Sequence, residues 1–101
     1  MNGPIKEDWL EYNSVPGQYQ VSGQIPIDPF CNGLVVKNAG NTILLFQGDP
    51  LQPGESKSVG GNRREILRQR IDIEFQLPSP APPTPQNLAV ITQKVYINIC
   101  D

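Results

Sequence analysis

Leu34-Val35-Val36-Lys37-Asn38-Ala39-Gly40-Asn41-Thr42-Ile43-Leu44-Leu45-Phe46 is the stretch that decides the fold class. Two short apolar runs rich in β-branched residues bracket a cluster of turn formers, the pattern of two strands and a tight connection. The spacing predicts a hairpin, residues 34–37 paired with 42–46, with Gly40 or Asn41 supplying a positive φ. Residues 43–46 are apolar at every position, which predicts a strand covered on both faces. Downstream, Pro53-Gly54 predicts a type II turn, because proline presets φ at its first central position and glycine accepts the left-handed second. Gly60-Gly61-Asn62 predicts another sharp turn.

Outward from this unit the same signals repeat. Residues 18–27 alternate loosely and read as a strand stopped by Pro26 and Pro29. Residues 64–70 are ambiguous between a helical turn and a strand. From Ile71 the alternation is clean, with Ile71, Ile73, Phe75 and Leu77 on one side and Asp72, Glu74 and Gln76 on the other. Residues 78–85 hold five prolines in eight and predict an extended, polyproline-like tract of about 25 Å. The last segment is β-rich, with Val95, Ile97 and Ile99 opposite Tyr96 and Asn98. Short strands with a turn signal every eight to twelve residues imply an all-β chain. The expectation is a small antiparallel β-sandwich, Ig-like or jelly-roll-like. It divides into an extended N-terminal arm (1–15), a body (16–77), a Pro-rich connector (78–86) and a C-terminal strand segment (87–101). That last segment packs on the body or on a neighbouring subunit.

Composition bounds the function. The 101 residues suffice for one domain with a modest core. A net charge of −2 argues against general nucleic-acid binding, which needs surplus Lys and Arg to neutralise phosphates. No run approaches the roughly 20 apolar residues of a membrane span. The N-terminus lacks the basic and apolar regions of a signal peptide, so the expected compartment is the cytosol. Cys31 and Cys100 then read as two buried thiols, with a disulfide between strands as the alternative.

The chain has no histidine, so the usual general base and metal ligand is missing and Ser14, Ser22, Ser56, Ser58 and Ser79 have no partner of that kind. Asp72 and Glu74, two apart on a strand, share a solvent face, and they are too few for a calcium site. The expectation is a non-enzyme with no cofactor and no metal. The sharpest charged feature is Arg63, Arg64, Arg68 and Arg70, four of the eight cations in eight residues. They read either as an anchor for an acidic partner surface or nucleic acid, or as a solvated segment balanced by Glu65, Asp72 and Glu74. Trp9, Tyr12 and Tyr19 are candidate interface anchors or core covers. Tyr96 with Tyr19 would be the aromatic platform of a carbohydrate- or receptor-binding module.

The turn elements, residues 35–42, then Leu51-Gln52-Pro53-Gly54-Glu55-Ser56 and Val59-Gly60-Gly61-Asn62, resemble those of small β-sandwich domains. Such domains occur in bacterial Ig-like surface modules and in accessory virion proteins of tailed bacteriophages, and the "P-G-E-S … G-G-N" ending is closer to the phage group. The resemblance covers about 30 of the 101 residues. It implies a structural virion protein, assembled in the host cytoplasm and present in multiple copies. Its partners would be other virion proteins, in a decoration, collar or fibre-attachment role. The contacts expected are Trp9, Tyr12, Arg63, Arg64, Arg68, Arg70 and the segment after the proline tract.

Overall fold

The computed structural model describes residues 12–97. Eight strands run β1 (Tyr12–Tyr19), β2 (Gly23–Ile25), β3 (Cys31–Asn38), β4 (Ile43–Phe46), β5 (Asp49–Leu51), β6 (Ser56–Gly60), β7 (Ile71–Gln76) and β8 (Ala89–Tyr96). They form two antiparallel four-stranded sheets of order β1-β8-β3-β6 and β2-β7-β4-β5. β1 pairs with β8, β2 with β7, β3 with β6 and β4 with β5, so the chain is one long antiparallel ribbon folded at its midpoint. The further pairs β3–β8 and β4–β7 roll that ribbon into two facing sheets. This is a jelly roll, one of the two forms of sandwich expected.

The midpoint is Gln47-Gly48, the two-residue connection of the β4–β5 hairpin, with φ of 53° and 87°. Two positive φ values make a type I′ turn, whose twist matches the strands it joins. The hairpin expected at residues 34–46 does not form. β3 and β4 belong to different sheets, and Asn38-Ala39-Gly40-Asn41 carries the chain across the sandwich. Gly40 has no positive φ; it is there because a Cβ would stand 2.8 Å from Leu88 N and closer still to Gln86 O. The crossing is instead a cradle for the proline-rich segment. Ala39 N and Gly40 N donate to Leu88 O, Asn41 N donates to Gln86 O, and the Asn41 side chain donates to Thr84 O and accepts from Gln86 N. Held this way, the segment bends at residues 79–80 and 83–84 rather than running as one rod. It delivers β8 between β1 and β3 of its own chain.

Local expectations fare unevenly. The type II turn stands as read, with Gly54 at φ 90° and Glu55 N donating to Gln52 O. β1 starts at Tyr12, inside the stretch assigned to an arm, and the strand expected over residues 18–27 is broken at 20–22. β1 runs through Pro16 because it lies at a sheet edge, where a missing N–H is tolerated. β4 is buried on one face only: Leu44 and Phe46 point inward while Ile43 and Leu45 are half-buried. Residues 64–70 form neither helix nor strand.

Between the sheets Ile25, Leu34, Val36, Leu44, Phe46, Ile71, Ile73, Ala89 and Ile91 fill the core. Strand registers place the connections at two ends. Residues 20–22, 39–42, 52–55 and 77–88 lie at one, the proline end. Residues 26–30, 47–48 and 61–70 lie at the other with the start of β1 and the end of β8, the arginine end.

Candidate interaction surface

The arginine end is built on a stapled loop. Gly60 and Gly61, at φ of 70° and 93°, turn the chain off β6, and Gly61 N donates to Asn32 O. Residues 62–65 form a tight turn in which Glu65 N donates to Asn62 O and Glu65 Oε1 accepts from Asn62 N. Arg64 takes the left-handed position of that turn, φ 65°, at a cost of about 1 kcal/mol for a residue with a Cβ.

Asn32 is the node beneath it. It is the extra residue of a bulge in β3, where Cys31 and Gly33 face consecutive residues of β8. Fully buried, its Nδ2 lies 2.7 Å from Asn62 O, 3.0 Å from Glu65 O and 3.1 Å from Tyr96 Oη, while Tyr96 Oη donates to Glu65 O at 2.8 Å. Two carbonyls facing the same atom fix which end of the amide carries nitrogen, since the opposite choice would set oxygen against oxygen. Further on, Leu67 N donates to Cys31 O and the Leu67 side chain enters the core. The arginines therefore project from a frame fixed at three points.

All four arginines are exposed, on either side of the Leu67 anchor: Arg63 and Arg64 on the tight turn, Arg68 and Arg70 on the run into β7. Arg70 Nε donates to both oxygens of Asp72, at 3.0 and 3.1 Å, an exposed pair worth no more than about 1 kcal/mol. Glu65 is occupied by its own turn, and Arg64 and Arg68 make no bond with a described residue. Beside them runs an open groove of about 400 Å³ lined by Ile25, Ile27, Pro29, Leu67, Arg68 and Arg70 among others.

Tyr12 lies at the same end, half-buried. Its ring is 5.0 Å from that of Tyr96 and tilted by 37°, with Lys94 Nζ 4.8 Å from its centroid. These contacts pack its ring against the end of β8. Trp9 lies outside the described residues, as do Ile99 and Cys100. The structure adds Phe30 and Ile97, exposed apolar side chains at this end that sequence reading did not single out. Their signal was faint: one is an isolated aromatic after Pro29, the other sits at the end of a strand whose alternation suggested burial. A Tyr96–Tyr19 platform does not form. Tyr96 is buried and the two tyrosines lie at opposite ends of the β1–β8 pair. Val95, on the opposite face of β8, is half-buried.

Burial pushes the Cys31 thiol above its ordinary value, and it does the same to the Tyr96 hydroxyl, reinforced by Tyr12. Cys31 is a free buried thiol whose Sγ donates to Gly33 O. Asp72 and Glu74 line a second open groove of about 370 Å³ with Leu45, Gln47, Gly48 and Ile73. Among the described residues no three acidic, cysteine or histidine side chains stand close enough to hold a metal ion, and no helix is long and apolar enough to cross a membrane. Comparison with protein-family models, with curated proteins and with solved structures finds no match for this chain.

Proposed function

We propose that this chain is a non-enzymatic structural protein of a bacteriophage virion, present in multiple copies and docking on a capsid, portal-vertex or tail surface. The observation that carries the reading is the eight-stranded jelly roll with its interior filled by side chains. That architecture recurs in viral capsid domains. A fold alone does not assign a role; the distribution of chemistry supports this one. The grooves described above are open and lie on the surface, and the densest charged side chains are arginines on a braced loop at the end that exposes Phe30 and Ile97. Arginine with aromatic and aliphatic neighbours is the composition of protein interfaces. The resemblance of the turn elements to those of phage accessory proteins is in keeping with this reading.

The test is fractionation of the native source into particles and soluble protein. Co-sedimentation of the chain with particles at a fixed stoichiometry is the expected result. A freely soluble monomer with none in the particle fraction refutes the proposal. A glycan array showing strong, specific binding would replace it with a lectin role.

A further inference from the structure

We propose that residues 1–11 of one copy of this chain bind the arginine end of a second copy, so that neighbouring copies exchange N-terminal segments end to end. The contact rests on the multi-copy reading above and supplies its mechanism.

Charge complementarity is the first argument. Residues 61–70 carry Arg63, Arg64, Arg68 and Arg70 against the single Glu65, whose carboxylate is taken by its own turn. Arg64 and Arg68 have no bonding partner among the described residues. Residues 1–11 carry Glu7, Asp8 and Glu11 against the single Lys6. Arginine pairs carboxylates bidentately and sheds water more readily than lysine, which suits it to such a joint. Asp28, the acid that also lines the groove, is turned back on its loop and accepts from Phe30 N.

Apolar complementarity is the second. Ile27 and Pro29 are the apolar side chains the groove offers, over Ile25 and Leu67 of the core and among the polar Gln24 and Gln69, with room for one or two large side chains. The segment offers Ile5, Trp9 and Leu10, spaced among the acids. A tryptophan set against apolar side chains beside arginines is the composition of an interface hot spot.

Position is the third. β1 begins at Tyr12, at the arginine end, so the described chain begins at the end of the sandwich that carries the groove. Eleven extended residues reach at most about 40 Å, enough to cross to a facing molecule. Two arginine ends brought together bare would leave Arg64 and Arg68 with no carboxylate partner among the described residues. With two acidic segments interleaved they attract, and Phe30 and Ile97, exposed on that end, are covered. Such an exchange is isologous, the same patch on both partners, as a two-fold pair requires.

The experiment is sedimentation equilibrium of the full chain and two charge-reversal variants, Arg64→Glu with Arg68→Glu, and Glu7→Arg with Asp8→Arg. Arg64 and Arg68 are exposed, and unchanged far-UV circular dichroism of each variant confirms intact folding. Wild type should self-associate, more weakly in 0.5 M salt, and each variant alone should associate at least about tenfold more weakly. An equimolar mixture of the two variants should recover association, because each segment then meets a groove of opposite charge. Monomeric wild type, variants that associate like wild type, or a mixture that fails to recover would each overturn the proposal. Loss of this contact in a protein that still co-sediments with particles would leave the virion role standing. Self-association without co-sedimentation would do the reverse.

Discussion

Replacing Asn38 by alanine should destabilise the domain by about 3 kcal/mol, although Asn38 reads in the sequence as an ordinary turn residue. The side chain is fully buried at the end of β3. Its Nδ2 donates to Thr42 O at 2.7 Å and to Leu51 O at 2.8 Å, and its Oδ1 accepts from Gly40 N at 3.2 Å. One amide thus ties the β3–β4 crossing to the end of β5 in the opposite sheet. Each hydrogen bond is worth about 1 kcal/mol net, and an abandoned buried partner costs about 1–3 kcal/mol. Alanine takes the donor from two such partners, Thr42 O and Leu51 O, while Gly40 N keeps its bond to Leu88 O, hence the figure of about 3 kcal/mol. That is a large part of the ~5–15 kcal/mol holding a domain of this size. It corresponds to a fall in Tm of about 12–24 °C, taking ~4–8 °C per kcal/mol. Urea unfolding followed by far-UV circular dichroism reads it as a lower midpoint at unchanged slope. Asn38→Asp sharpens the test: a carboxylate would face two carbonyl oxygens, so at pH 7 this variant should be less stable than alanine and should recover partly as acid protonates it. A loss below about 1 kcal/mol for alanine, or an aspartate variant as stable as wild type, would refute the assignment of Asn38 as the tie between sheets.

Gly40→Ala should cost at least about 1–3 kcal/mol, because the new methyl meets the backbone at Gln86 and Leu88 and must push the proline-rich crossing away; chemical unfolding measures it. Tyr96→Phe removes the hydroxyl shared by Glu65 O and Asn32 Nδ2 and should cost about 1–3 kcal/mol, with faster amide exchange confined to residues 61–67 as the signature of a loosened arginine loop. Cys31 has a thiol pKa raised by burial, so the folded state keeps its proton longer than the unfolded one. Its contribution is fully present below the ordinary value of 9.0 and is lost as the pH rises above it, with Tyr96 adding to the fall above 10.0. Urea midpoints across pH 7–11 should therefore decline from about pH 9, and Cys31→Ala should flatten the first part of that decline. In a Cys100→Ser background, Cys31 should resist thiol reagents at pH 8 until denaturant is added, whereas prompt modification of the native protein would contradict its burial.

What the sequence discloses and what it hides divide along one line, the distance over which each feature is decided. The type II turn at Pro53-Gly54 and the alternation of residues 71–76 are settled by the residues themselves, and both are plain in the chain. The connection Asn38-Ala39-Gly40-Asn41 has hairpin chemistry but crosses between sheets, because the same polar, small residues serve any tight reversal. What distinguishes the cases is whether the flanking strands pair with each other, and here β3 pairs with β6 and β8, far along the chain. The two-residue hairpin among the described residues, at Gln47-Gly48, opens with glutamine rather than the asparagine or aspartate that usually marks a type I′ turn. Its backbone is held in place by distant groups instead: Gln47 Nε2 donates to Arg70 O, and Gln47 Oε1 accepts from Asp72 N.

The arginine cluster shows the same division on the functional side. Four arginines in eight residues are visible at once, but whether they form a surface depends on what fixes the loop. That is decided by Asn32 and Leu67, which carry no local signal of the role, and by Tyr96, which a local reading offers as part of an exposed platform. Asn32 acquires its role through a bulge, a defect in strand pairing that leaves no mark on the residue's own neighbours. In a jelly roll this is general, since every strand pair except the central hairpin joins segments separated by one or more intervening strands. A braced surface site in this fold is therefore assembled from residues whose individual signals are those of packing. Gly33→Ala isolates the point. Its methyl would stand 2.5 Å from Gly61 N and 2.7 Å from Val59 O, so it must displace the root of the arginine loop without touching an arginine. Self-association in the sedimentation experiment should weaken in this variant while the four arginines remain in place. Undiminished association would show that the loop binds by charge alone and that its bracing is irrelevant.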